Sequence, residues 1–73
     1  MMNDIIEHVD KKMALSEDAI KKCETKLYLA RGCAADLRHN GFDGELVGEL
    51  IKHCENALKF AHSYQAYMNV IDD

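Results

Sequence analysis

The sequence predicts an all-α fold, an antiparallel helical hairpin, and three observations lead there. An apolar repeat at heptad spacing runs through both halves, a glycine-bracketed break separates them, and none of the 73 residues is proline. Proline-free, heptad-patterned chains fold as packed helices, because side chains three and four apart line one helix face.

In the first half Met2, Val9, Ser16, Cys23, Ala30 and Leu37 recur every seven residues. Ile6, Met13, Ile20, Leu27 and Ala34 alternate with them, and Ser16 alone in the two rows is polar. In the second half Val47, Cys54, Ala61 and Met68 form one row and Leu50, Ala57, Tyr64 and Ile71 the other. None of these is charged, so each half carries a seam for another helix.

Between the halves lies His39-Asn40-Gly41-Phe42-Asp43-Gly44-Glu45. Gly41 suits the left-handed position that ends a helix, and Arg38 and His39 place cations where they complement the dipole. Asp43 suits the N-cap of the next helix. Phe42 and Val47 hold the spacing of a hydrophobic staple. A turn this short makes the helices antiparallel neighbours, with residue n of the first opposite residue ~84 − n of the second. Large then faces small, or small faces small, in most layers: Leu37 with Val47, Ala34 with Leu50, Ala30 with Cys54, Leu27 with Ala57, Cys23 with Ala61 and Ile20 with Tyr64.

The same arithmetic leaves residues 1–10 overhanging the hairpin, although Ile5, Ile6 and Val9 are apolar. Ser16-Glu17-Asp18 reads as a helix start, with Ser16 as N-cap and acids in the first turn. A helical segment over 1–15, broken or kinked near Leu15–Ser16, is therefore expected ahead of a helix over 16–40, a turn at 41–44 and a helix over 44–72. The unbroken heptad phase through Ser16 points the other way, to one continuous helix.

Two helices cannot cover Leu15, Tyr28, Leu29, Leu46, Ile51, Leu58, Phe60 and Tyr67, which flank the seam. A domain this small is marginal alone and gains most from association. Assembly with copies of itself into a helical bundle or ring is expected. A three-helix monomer, with residues 1–15 as a lid, is the competing arrangement.

Composition narrows the function classes. The net charge is −4, from 13 acidic and 9 basic residues, which disfavours direct binding to long nucleic acid. The 3 cysteines have irregular spacings, with no signal-peptide pattern before them. That fits a reducing, cytoplasmic setting rather than a disulfide scaffold. No apolar run approaches the roughly 20 residues of a membrane span. Cys23 and Cys54 sit at seam positions as small core residues. His53 and Cys54 are adjacent and diverge on a helix, so no metal-ligand spacing arises and neither metal nor cofactor is expected. The hydroxyls of Ser16, Thr25 and Ser63 have no histidine aligned with them, and no residue set meets the geometric tests for catalysis.

Basic and aromatic residues remain. Most lysines and arginines alternate with acids and read as solvated helix surface. If some gather with aromatic rings on an oligomer, they form a site for an anionic or protein partner. The candidates are Tyr28, Arg31, Lys52, Lys59, Phe60 and Tyr67.

The stretch Glu55-Asn56-Ala57-Leu58-Lys59-Phe60-Ala61-His62 resembles the second helix of a phage helical-hairpin family that sequesters cyclic oligonucleotides and blunts CBASS-type or Thoeris-type immunity. Glu55, Ala57, Leu58, Phe60 and Ala61 match that family's pattern, while Asn56, Lys59 and His62 depart from it. The family's proline- and arginine-containing turn is replaced here by Gly41-Phe42-Asp43-Gly44. The resemblance implies a ring-like oligomer with anionic ligands between subunits, and it assigns no ligand-contacting residue.

The sequence thus leads to a non-enzymatic, oligomeric binding protein, a phage- or plasmid-type regulator or inhibitor acting on a host or phage protein. One alternative is a sponge for cyclic nucleotide immune signals. Another is an RNA-binding four-helix bundle, which shares only architecture with the hairpin.

Overall fold

A computed structural model describes the backbone of residues 2–72 and the side chains of residues 11–69. Two helices, α1 (Met2–Asn40) and α2 (Gly44–Asp72), pack along their length with no strand among the described residues. The molecule is a rod 59 Å long and 16 × 13 Å across, the length expected of a straight 39-residue α1 at about 1.5 Å per residue.

The turn follows the sequence closely. The Gly41 N–H donates to the Leu37 carbonyl at 3.0 Å, and Gly41 has φ +92°, a conformation that costs a residue with a Cβ. Asp43 then caps α2. Its Oδ1 accepts from the N–H groups of Glu45 at 3.0 Å and Leu46 at 3.3 Å, two donors that have no partner inside the helix. The Asp43 carbonyl takes the first helical bond, from Val47 N–H at 2.9 Å. The staple expected of Phe42 and Val47 does not bury the ring, because Phe42 is 88% exposed. Its tip lies 3.9 Å from where a Gly44 Cβ would stand, so it rests beside a residue with no side chain to pack on.

The expected break near Ser16 is absent, and α1 runs through it without interruption. Ser16 is not an N-cap. It is a buried seam residue whose hydroxyl donates to the Met13 carbonyl at 2.8 Å. That internal bond satisfies the hydroxyl without leaving the helix, and residues 2–15 belong to α1. The side chains of Met2, Ile5, Ile6, Val9 and Ile71 lie outside the described residues.

The seam is half of the one expected. Ser16, Cys23 and Ala30 are buried and Leu37 half-buried, as the first row requires. The row alternating with it is not Met13, Ile20, Leu27 and Ala34, which are all exposed. It is Ala19, Lys26 and Cys33, on the other side of the shared row. Both choices alternate spacings of three and four, and they differ by rotating α1 about its axis. On α2, Leu50, Ala57 and Tyr64 face α1 as expected, flanked on one side by Leu46, His53, Phe60 and Tyr67 and on the other by Val47, Ala61 and Met68, all of these flanking residues half-buried. Of the row expected beside them, Cys54 alone is exposed. Cys54 is thus not a core residue, whereas Cys23 and Cys33 are.

Side-chain size accounts for the rotation. The buried apolar residues are Ala19, Cys23, Ala30, Cys33 and Ala57, all small, so the backbones come close along a narrow groove. The larger Met13, Ile20 and Leu27 would hold the helices apart, and they are left outside. In consequence, no large side chain is fully buried among the described residues.

Candidate functional site

Rotating the seam gives the hairpin two unlike broad faces. In an antiparallel pair, rows lying on the same side of the two seams share one face. On one face α1 contributes Met13, Ile20, Leu27 and Ala34, and α2 contributes Val47, Cys54, Ala61 and Met68, with Ile51 and Leu58 at its outer margin. None of these ten is charged. Met13 is 52% exposed, Leu27 54%, Ile51 52% and Leu58 59%, so this face is open at its larger side chains on both helices. Its margin on α1 is a charged row: Glu17, Glu24, Arg31 and Arg38, all exposed.

The opposite face mixes basic and aromatic groups. Lys22 Nζ stands 5.7 Å from the centre of the Phe60 ring, and Lys12 Nζ stands 5.4 Å from that of Tyr67. These lysines place their cations over the aromatic faces. Lys22, Thr25, Lys26 and Phe60 line an open groove there. The Thr25 hydroxyl already donates to the Lys21 carbonyl at 3.0 Å, and that of Ser63 donates to the Lys59 carbonyl at 3.2 Å. Lys22 also pairs with Asp18 at 3.0 Å, one helical turn away and in solvent.

The six candidate residues do not converge within one hairpin. Tyr28, 75% exposed, and Arg31 border a shallow depression over Gly32 and Ala35 on the outer edge of α1. Lys52 and Lys59 are exposed on α2, away from the seam by their heptad positions. Phe60 and Tyr67 are half-buried in the seam, their rings engaged by Lys22 and Lys12. Lys22 lies near the ~84 sum that sets it opposite Phe60, whereas Lys12 reaches Tyr67 from more than a helical turn off that register.

No group of three or more His, Cys, Asp or Glu side chains able to hold a metal comes together among the described residues. The nearest approach to an unexplained polar group is His53 Nδ1, which is buried without a hydrogen-bond partner. No described helix is long and apolar enough to cross a membrane.

No family model, curated protein or solved structure matches the chain. The reading of function therefore rests on the two faces.

Proposed function

We propose that this chain is a non-enzymatic binding protein of the regulator or inhibitor type, which acts by covering its apolar face with protein and oligomerises through it. The observation that carries this reading is the uncharged face on which Met13, Ile20, Leu27 and Ala34 of α1 and Ile51, Cys54 and Leu58 of α2 are exposed, with Val47, Ala61 and Met68 half-buried among them. Contiguous apolar surface rimmed by charge marks interaction sites on soluble proteins. The small-residue seam strengthens the case. A core of Ala19, Cys23, Ala30, Cys33 and Ala57 offers little area to offset the entropy of ordering two long helices.

Native mass spectrometry of gently purified protein tests the proposal. An oligomer, or a complex with a host protein, supports it, and a bare monomer at every concentration overturns it.

The groove of Lys22, Thr25, Lys26 and Phe60 favours a second reading, in which an oligomer sequesters a cyclic nucleotide. Two cations and an aromatic ring match phosphate and base. A thermal-shift panel of cyclic di- and trinucleotides decides it, because a ligand that binds the folded state raises the melting temperature.

A further inference from the structure

The open apolar face is self-complementary in both shape and charge. We propose that it pairs with the same face of a second copy about a two-fold axis perpendicular to the helices, level with Leu27 and Leu58. The turns then lie at opposite ends of a four-helix bundle. This inference rests on the reading above, that the apolar face is a binding surface, and it names the occupant and the register.

Two hairpins meeting face to face have two symmetric choices. The axis lies in the interface either along the helices or across them. With the axis along the helices, α1 stacks on α2 of the second copy. The Glu17, Glu24, Arg31, Arg38 margin of α1 would then lie against the Ile51, Leu58, Gln65 margin of α2, charge against apolar surface. With the axis across them, α1 stacks antiparallel on α1 and α2 on α2, so each margin meets itself in reverse.

The reversed charged margin matches itself. Residue n of α1 then faces residue ~55 − n of the second copy. Glu17 stands opposite Arg38 of the second copy, and Glu24 opposite its Arg31. Acid occupies the first half of the row and arginine the second, so this direction pairs opposite charges throughout, four times per dimer by symmetry. The apolar rows close in the same register. Leu27 meets Leu27 at the axis, and Ile20 meets Ala34. On α2, Leu58 meets Leu58, Cys54 meets Ala61, and Val47 meets Met68. Large faces small at Ile20 and Ala34, small faces small at Cys54 and Ala61, and the larger Val47 and Met68 meet towards the ends of α2. The two helices also agree on the position of the axis. By the hairpin's own pairing, Leu27 lies level with residues ~57–58 of α2, where α2 has its own centre of symmetry. Phe42, exposed at the turn, comes level with Met13 of the second copy.

The apolar contact supplies the affinity in this arrangement. Exposed ion pairs add little attraction, but like charges brought together oppose docking, so the margin sets the register.

Charge swapping tests the proposal, read by native mass spectrometry and dilution, with circular dichroism confirming that each variant is helical. The wild-type chain is expected at twice its 8.3 kDa mass. E17R/E24R makes the margin wholly basic and R31E/R38E makes it wholly acidic. Each alone is expected to weaken self-association by roughly 100-fold or more. An equimolar mixture restores a dimer with one chain of each kind, and the fourfold variant E17R/E24R/R31E/R38E restores the homodimer. Ala61→Cys supplies an independent readout, since its thiol lies opposite Cys54 of the second copy. Mild oxidation is expected to give a covalent dimer, whereas residues seven apart on one helix stand about 10 Å apart, too far for a disulfide within the chain. If the wild type self-associates but neither the mixture nor the fourfold variant recovers, the register is wrong while the apolar face remains a binding surface. A wild type that stays monomeric and captures nothing overturns both.

Discussion

Ala57→Leu is the most direct probe of the close helix contact. Ala57 is 4% exposed, the lowest value among the described apolar residues, and it sits midway along α2. Ala57 is almost wholly shielded from solvent where α2 meets α1, so a leucine there must displace the side chains packed around it. Adding side-chain carbons to a packed site forces shifts that cost about 1–3 kcal/mol. For a domain of this size each kcal/mol moves the melting temperature by about 4–8 °C. Ala57→Leu is therefore expected to melt about 4–24 °C below the wild type. Ala66→Leu, on the exposed side of the same helix, serves as control and is expected to change it by under about 0.5 kcal/mol, since alanine and leucine have similar helix propensities. Thermal unfolding by circular dichroism at one fixed protein concentration compares the two. An Ala57→Leu variant as stable as the wild type would mean that the backbones do not approach closely there, and the small-residue seam would be wrong.

Four further outcomes are expected. Gly41→Ala places a Cβ at φ +92° and is expected to cost roughly 1–2 kcal/mol in denaturant unfolding. Asp43→Ala removes the acceptor for Glu45 and Leu46 N–H and is expected to lower stability by about 1 kcal/mol, while Asp43→Asn largely retains it. Lys26→Leu replaces a half-buried lysine in the seam and is expected to raise the melting temperature. The same change is expected to abolish any cyclic-nucleotide shift if the groove binds such a ligand. Asp18→Ala breaks the exposed pair with Lys22 and is expected to alter stability by less than about 0.5 kcal/mol.

The fold was legible because its signals are local. Gly41, Asp43 and the heptad rows each act within a turn or two of helix, and together they allow only two helices in antiparallel order. The rotation of α1 was not legible. Residues 16, 23, 30 and 37 belong to both possible seams, and hydrophobicity favours Met13, Ile20 and Leu27 as their companions. What decides is how closely two backbones approach, a property of the pair that no single row displays. Reading Ala19 and Cys33 as close-contact residues, and not merely as weak apolar ones, was the available signal. The same difficulty misplaced Cys54. It also hid the apolar face, because that face exists only once the large residues have been turned outward. The N-cap signal at Ser16 misled for a different reason: Ser-Glu-Asp begins a helix only if the backbone before it leaves helical geometry, and here the turn Lys12-Met13-Ala14-Leu15, made wholly of good helix formers, keeps it.

The single turn at Gly41–Asp43 also governs how the chain acquires its structure. Every contact between α1 and α2 spans that turn, and the sequence separation grows steadily from Leu37 and Val47 outward to Lys12 and Tyr67. Loop-closure entropy rises with that separation, so the ends nearest the turn should join first and the pairing should propagate outward like a zipper. Destabilising changes near Leu37 are then expected to slow folding, whereas those near Tyr67 mainly hasten unfolding.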